Sequence, residues 1–259
     1  MISNIIWLVI LFSFLENGRS INVQENENIY LNLSLSILFA SAINGLISMF
    51  LIISNYPQFP LLIINLTVLI IFFVFRRNRK NYMLCYGKLK HEIIYVYEKL
   101  NTLSKSKLMR NLACFLFLLL ILISFGPINH TDTVNAYVGY PHLFFEKGKH
   151  FIDGDLHQGM LGIGDFASLT FIQEKSIWLI RVNQLIPLIP LVFLMIRRNT
   201  NIYLLIIFLS SPVLIQWLTI GKTIFLTDSC LTIIYLVWTK SANRTNTIYL
   251  ISSSIILIC

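Results

Sequence analysis

The sequence predicts an all-α protein, a polytopic transmembrane helix bundle of about seven to eight spans with one long extracytoplasmic loop containing amphipathic surface helices. Three observations predict this fold class: the shortage of charge, the clustering of basic residues between apolar runs, and one long polar segment. Of the 259 residues, 56% are hydrophobic and 12% are charged, whereas a soluble domain is about half apolar and a quarter charged. This composition excludes a soluble enzyme, a disordered chain and a secreted disulfide scaffold.

The apolar runs justify the spans in order, because a membrane-crossing helix needs about 20 mostly apolar residues. The first run, residues 2–15, is short, but it lacks the basic start and the cleavage site of a signal peptide. The further predicted spans are residues 30–53, 59–75, 108–125, 177–196, 202–218 and 225–238. Residues 248–259 begin an eighth span and stop too early to cross. We therefore treat residues 1–259 as a single membrane domain in the cell (inner or plasma) membrane.

The charge distribution predicts the orientation of these spans. Residues 76–110 carry ten basic and two acidic side chains, an excess equal to the net charge of +8 for the whole chain. Because basic loops remain in the cytoplasm, residues 76–110 are predicted to be cytoplasmic and residues 126–176 extracytoplasmic. Arg197 and Arg198, directly after the fifth span, agree with this orientation.

The basic segment admits two functional interpretations. It could bind nucleic acid or a cytoplasmic partner, or it could form an amphipathic helix on anionic lipid. Aromatic and aliphatic residues recur along it at helical spacing. We favour the lipid surface and expect membrane lipids, and no nucleic acid, as partners.

The loop of residues 126–176 differs in composition from the rest of the chain. It holds four of the five histidines and six of the twelve acidic residues, and loops of this length are usually functional or disordered. Its aromatic residues argue against disorder. We expect a surface helix within residues 133–147, kinked or broken by Pro141 and ended by Gly148. The apolar run 162–171 is too short to cross the bilayer.

Two stretches of this loop carry a resemblance. Residues 131–137 and 140–148 are similar to the Asp-containing loop pattern of the GT-C superfamily of integral membrane glycosyltransferases, which includes the bacterial protein O-mannosyltransferase and aminoarabinose-transferase relatives. Residues 154–162, GDLHQGMLG, resemble the GNLHGRLG stretch of an uncharacterised family of bacterial polytopic membrane proteins.

The resemblance implies transfer of a sugar from a polyprenyl-phosphate donor to a glycan or lipid acceptor of the cell envelope, at the outer membrane face. It implies that Asp132 is the catalytic general base, since a sugar hydroxyl is a weak nucleophile until its proton is removed. The alternative is that Asp132 only caps the loop helix. The substrate-binding candidates are His130, Tyr137, His142, Asp155, His157 and Lys222.

Other readings of the loop and the spans stay open. We expect no cofactor, and a divalent metal at Asp153 and Asp155 is the less favoured alternative. Arg181 could pair with a donor phosphate or lie at the membrane interface, as could Lys147 and Lys149. A polysaccharide polymerase or flippase is a competing function, as is a transporter. The absence of arginine between residues 126 and 176 counts against a polymerase, and the scarcity of ionisable residues within the spans counts against a transporter.

Overall fold

The chain folds into helices throughout the part that a computed structural model describes, which is residues 2–17, 28–75, 79–103, 106–126, 138–148, 166–220 and 224–238. No strand occurs among these residues, so the predicted all-α class is confirmed. In chain order the helices are α1 (Ile2–Asn17), α2 (Asn28–Ile53), α3 (Leu61–Phe75), α4 (Arg79–Leu103), α5 (Lys107–Ser124), α6 (Gly139–Lys147), α7 (Ser168–Gln173), a 3-10 turn (Ile177–Leu179), α8 (Ile180–Leu185), α9 (Leu188–Arg197), α10 (Ile202–Leu209), α11 (Pro212–Ile220) and α12 (Ile224–Trp238).

Three helical segments in the described part are long and apolar enough to cross a membrane: Ile29–Ile53, Lys107–Ser124 and Ile177–Arg197. The apolar helices Ile2–Ser13 and Leu61–Phe72 are shorter. These segments indicate a membrane protein, as the composition predicted. The count of seven to eight spans stays a prediction.

Proline divides two of the predicted spans. Pro187 cannot donate a hydrogen bond to the carbonyl of Asn183, and the N–H of Ile186 donates to that oxygen instead, at 3.3 Å. The helical hydrogen-bond ladder is therefore interrupted between α8 and α9, although Ile186 and Pro187 keep helical backbone angles. The predicted span 202–218 divides in the same way before Pro212, into α10 of 8 residues and α11 of 9 residues. Neither helix is long enough to cross alone, and the predicted span over residues 202–218 stays a prediction.

The basic segment forms a helix, as predicted. α4 is 25 residues long, and it is fixed to the bundle by a buried ion pair between Glu92 and Arg197. The Tyr30 hydroxyl donates to the same Glu92 carboxylate at 2.6 Å, and the Arg197 guanidinium lies 4.8 Å from the centre of the Tyr95 ring. These contacts join α4 to the start of α2 and the end of α9. We call this end of the bundle the basic end.

A helix is present within the expected residues 133–147, as α6, which spans Gly139–Lys147. α6 continues from Pro141 to Lys147, and the preceding residues 127–137, where the proline was expected to kink or break the helix, lie outside the described part of the chain. Pro141 lies in the first turn, where its missing N–H has no intrahelical partner to lose. Gly148 ends the helix in the left-handed conformation at φ 66°, as predicted, because glycine adopts that conformation without steric cost.

The described part of the apolar run 162–171 does not cross the bundle. It leads into α7, which ends in a turn at Glu174–Ser176, where Lys175 has φ 51°. This turn separates α7 from the 3-10 turn at Ile177–Leu179, so the described residues 166–173 do not form one continuous helix with residues 177–196.

The core of the bundle is built around α2. Leu35, Leu38 and Ile52 of this helix are completely buried, and α1, α9 and α12 pack around it. α5 is different, since Leu118 and Leu122 point outward from the bundle. An apolar helix with such an outer face is suited to contact with lipid.

Candidate functional site

The side chain of Gln173, at the end of α7, fixes the loop to the bundle. Its amide nitrogen donates to the carbonyl oxygens of Pro57 and Phe59, at 2.7 and 2.9 Å. Its amide oxygen accepts from the backbone N–H of Leu61 at 2.8 Å. One amide group therefore supplies hydrogen-bond partners for two carbonyl oxygens of the turn between α2 and α3 and for an N–H in the first turn of α3. Backbone groups at these positions lack partners within a helix.

α6 is held at the same turn. The Gln58 amide donates to the Phe145 carbonyl oxygen at 3.2 Å. Phe144 and Leu169 are buried together with Ile52 from the end of α2. The two described helices of the loop thus pack on the α2–α3 turn and on each other.

Glu174 brings the start of α1 to the same place. Its carboxylate accepts from the backbone N–H groups of Ile2 and Ser3, at 3.0 and 3.1 Å, and from the Ser3 hydroxyl at 2.8 Å. Burial by itself raises the pKa of Glu174, but the positive charge and the hydrogen bonds at the amino-terminal end of α1 outweigh it and hold this pKa below its usual value of 4.5. A carboxylate at a helix N-terminus is favoured by the helix dipole. We call this end of the bundle, formed by the start of α1, the α2–α3 turn, α6 and α7, the loop end.

Arg181 is buried at the point where the loop begins. Its side chain is 3% exposed, and a Cβ atom added to Gly126 would lie 2.9 Å from a guanidinium nitrogen. The guanidinium therefore lies directly against the backbone at Gly126, close to the end of α5. Protein atoms therefore cover this side chain, whereas a snorkelling side chain extends its charge into water; the choice between the phosphate and the interface roles of Arg181 stays a prediction.

Most of the predicted site residues lie outside the described part of the chain. These are His130, Asp132, Tyr137, Asp155, His157 and Lys222, together with the metal-binding alternative Asp153. Their roles stay predictions. Among the described residues no cluster of three or more histidine, cysteine or acidic side chains could hold a metal ion.

His142 is the predicted site residue that the structure describes. It lies on α6, and its Nδ1 atom is 3.6 Å from the Glu146 carboxylate one turn later. Both side chains are well exposed, at 42% and 60%. No contact given for the described residues joins His142 to Arg181, and the role of His142 stays a prediction.

A chain of buried amides is the polar feature that sequence reasoning missed. The Trp7 indole donates to Asn65 at 2.8 Å, Asn65 donates to Asn44 at 3.2 Å, Asn44 donates to Asn4 at 2.5 Å, and Asn4 donates to Asn183 at 3.3 Å. This asparagine chain joins α1, α2, α3 and α8. The available signal was an asparagine inside each of four apolar runs, where a polar group is costly unless it is hydrogen-bonded.

Comparison with known proteins leaves the chain without an assigned relative. No family model, no curated protein and no solved structure matches it. The functional argument therefore depends on the residues and on the geometry of the loop end.

Proposed function

We propose that this chain is an integral membrane glycosyltransferase that moves a sugar from a polyprenyl-phosphate donor to a cell-envelope acceptor, with Asp132 as the general base. The observation that carries the proposal is the buried guanidinium of Arg181 against Gly126, six residues before Asp132 in the chain. Arg181 thus lies against the residue at which the segment that contains Asp132 begins, and a cation and a carboxylate are the two charges that this reaction requires.

The role of Arg181 follows from the leaving group. Transfer of the sugar leaves a phosphate group on the lipid carrier, and a guanidinium stabilises phosphate through two parallel charge-assisted hydrogen bonds. Burial strengthens this electrostatic stabilisation because the local dielectric constant is low.

The role of the loop end is to position the acceptor. Gln173 and Gln58 attach α7 and α6 to the α2–α3 turn, so the described parts of the loop rest on rigid helices. A base fixed in such a frame can remove the acceptor proton as the new glycosidic bond forms. His130, Tyr137, His142, Asp155, His157 and Lys222 remain the proposed substrate contacts.

A transfer assay in membranes tests the proposal. Sugar release from a polyprenyl-phosphate donor pool should fall by about 10²- to 10⁴-fold in Asp132→Asn, because asparagine keeps the shape and the capping ability but cannot act as a base. Arg181→Lys should also lose activity, since a lysine cannot form the paired hydrogen bonds. Lys175→Gln removes an exposed cation at the same end, one with no proposed contact to the donor, and serves as the control. Full activity of Asp132→Asn would remove this residue from the mechanism.

The proposed orientation places the loop end outside the cell and the basic end in the cytoplasm. The excess of basic over acidic side chains in residues 76–110 supports this orientation. Arg197 and Arg198 support it as well, because they lie at the same end as α4. A single cysteine at Asn101 in a cysteine-free protein should therefore be protected from an impermeant thiol reagent in intact cells. Rapid labelling of this cysteine would show that the orientation is the opposite one and that the loop does not lie at the outer face.

The asparagine chain favours a second candidate, a transporter of a small polar solute. Transporters place polar groups inside the membrane domain at their substrate site. The asparagine chain likewise links four helices through buried polar side chains. The two functions differ in their response to Asn65→Leu. A transporter would lose solute flux into vesicles, whereas a transferase that keeps its fold would retain sugar release. The polymerase or flippase alternative has no such support from the described residues.

A further inference from the structure

An apolar cavity of about 210 Å³ lies near the basic end, between α4, α5, α9 and α10. Its lining includes Val96, Leu100, Ala113, Cys114, Phe117 and Val192. The cavity opens to the outer surface of the bundle, since Tyr97 at its edge is 67% exposed and Cys114 is exposed as well. It is separate from the loop end and from Arg181.

The sequence explains the shape of this cavity on the α4 side. Ile93, Val96, Tyr97 and Leu100 follow the spacing i, i+3, i+4 and i+7, which places them on one face of a helix. The neighbouring Glu92 is directed to Arg197 by the buried ion pair, so this apolar face stays turned toward α5.

On the α5 side, the same helix face changes from charged to apolar within two turns. Lys107 and Arg110 come first, followed at helical spacing by Ala113, Cys114 and Phe117. α5 therefore presents two cations next to the mouth of an apolar cavity.

A hydrogen bond holds one of these cations at the corner between the two helices. Arg110 donates from its guanidinium to the carbonyl oxygen of Asn101 at 2.8 Å. Asn101 follows the cavity-lining Leu100 on α4, so the guanidinium bridges α4 and α5 beside the cavity.

We propose that this cavity is a binding site for an anionic phospholipid, with one acyl chain in the cavity and the phosphate held by Arg110 and Lys107. An acyl chain gains little by leaving other lipid tails for a protein groove, so the preference for a particular lipid must come from its head group. Paired cations at the membrane surface favour a head group with net negative charge, and a guanidinium matches the geometry of phosphate oxygens. The proposal does not depend on the glycosyltransferase function.

Photocrosslinking of the full chain in vesicles tests this site. The protein is reconstituted in phosphatidylcholine vesicles that contain one of two probes. One probe is phosphatidylglycerol and the other is phosphatidylcholine, and each carries a photoreactive group in its acyl chain. Labelling of the peptides that contain residues 93–100 and 113–117 should be at least about fivefold stronger with the phosphatidylglycerol probe. It should fall about fivefold in Arg110→Gln and in Lys107→Gln, whereas Lys175→Gln, at the loop end, should leave it unchanged.

A matched pair of substitutions on α5 tests entry of the chain into the cavity. Cys114→Phe fills the cavity from its rim and should abolish labelling of both peptides. Leu118→Phe adds a similar bulk to an outward-facing position, 58% exposed, and should leave labelling unchanged. Thermal unfolding checks that each variant is folded, and if Arg110→Gln fails this check, the same loss should be obtained with the parent protein at high salt. Equal labelling by the two probes, or equal labelling of Cys114→Phe and Leu118→Phe, would overturn the proposal.

Discussion

Asn44 is the central link of the asparagine chain, and its replacement by leucine should destabilise the bundle. The side chain of Asn44 donates to Asn4 at 2.5 Å, accepts from Asn65 at 3.2 Å, and also donates to the Ala40 carbonyl of its own helix at 3.1 Å. Leucine has a similar volume, so packing is largely retained while all three hydrogen bonds are lost.

The magnitude follows from the two interhelical hydrogen bonds. In membrane proteins such a bond contributes about 0.6 kcal/mol on average, and at most about 1.7 kcal/mol. Loss of both therefore predicts a decrease of about 1 to 3 kcal/mol in the free energy of unfolding. Asn4 and Asn65 also remain buried with one hydrogen bond fewer each, which places the expected effect in the upper half of this range.

Reversible unfolding of the purified protein in detergent micelles measures this difference. The control is Ser36→Ala, because Ser36 is completely buried in the same helix and bonds only to the Asn32 carbonyl of that helix. A double-mutant cycle between Asn44 and Asn4 isolates their coupling energy. If Asn44→Leu is as stable as Ser36→Ala and the coupling energy is zero, the asparagine chain does not hold the helices together.

Three further predictions concern single contacts and are measured by unfolding of the same preparation. Glu92→Gln should destabilise the protein by about 3 kcal/mol, because it leaves the buried Arg197 guanidinium without its counter-charge; an unchanged stability would show that the ion pair is not buried in solution. Because the pKa of Glu174 is lowered, its carboxylate stabilises the fold above about pH 4.5, and this contribution is lost as the pH falls through the folded-state pKa. Glu174→Gln should remove that part of the acid sensitivity. An identical dependence of stability on pH in the parent and the variant would contradict the assignment. Gly148→Ala should destabilise by about 1 kcal/mol because φ is positive there, whereas Gly87→Ala, in open space within α4, should stabilise by up to about 1 kcal/mol; effects of the same sign would refute this reasoning.

The sequence by itself determined the features that depend on local composition. The apolar runs at residues 30–53 and 108–125 were predicted as spans because the length and hydropathy of a helix need no knowledge of its neighbours. The end of α6 at Gly148 was predicted for the same reason, since a left-handed residue is a local requirement of the backbone. The separation of α10 from α11 before Pro212 was also readable from the proline, because a proline interrupts helical hydrogen bonding whatever its neighbours are.

The tertiary structure decided which residues meet. Asn4, Asn44, Asn65 and Asn183 lie in separate apolar runs, and periodicity assigns each to a face of its helix without saying which helix that face meets. The burial of Arg181 against Gly126 depends in the same way on the packing of α8 beside the end of α5. Asp132 lies outside the described residues, so its role as base stays a prediction. Contacts between helices arise from side-chain packing over long sequence separations, and that packing is a property of the assembled bundle.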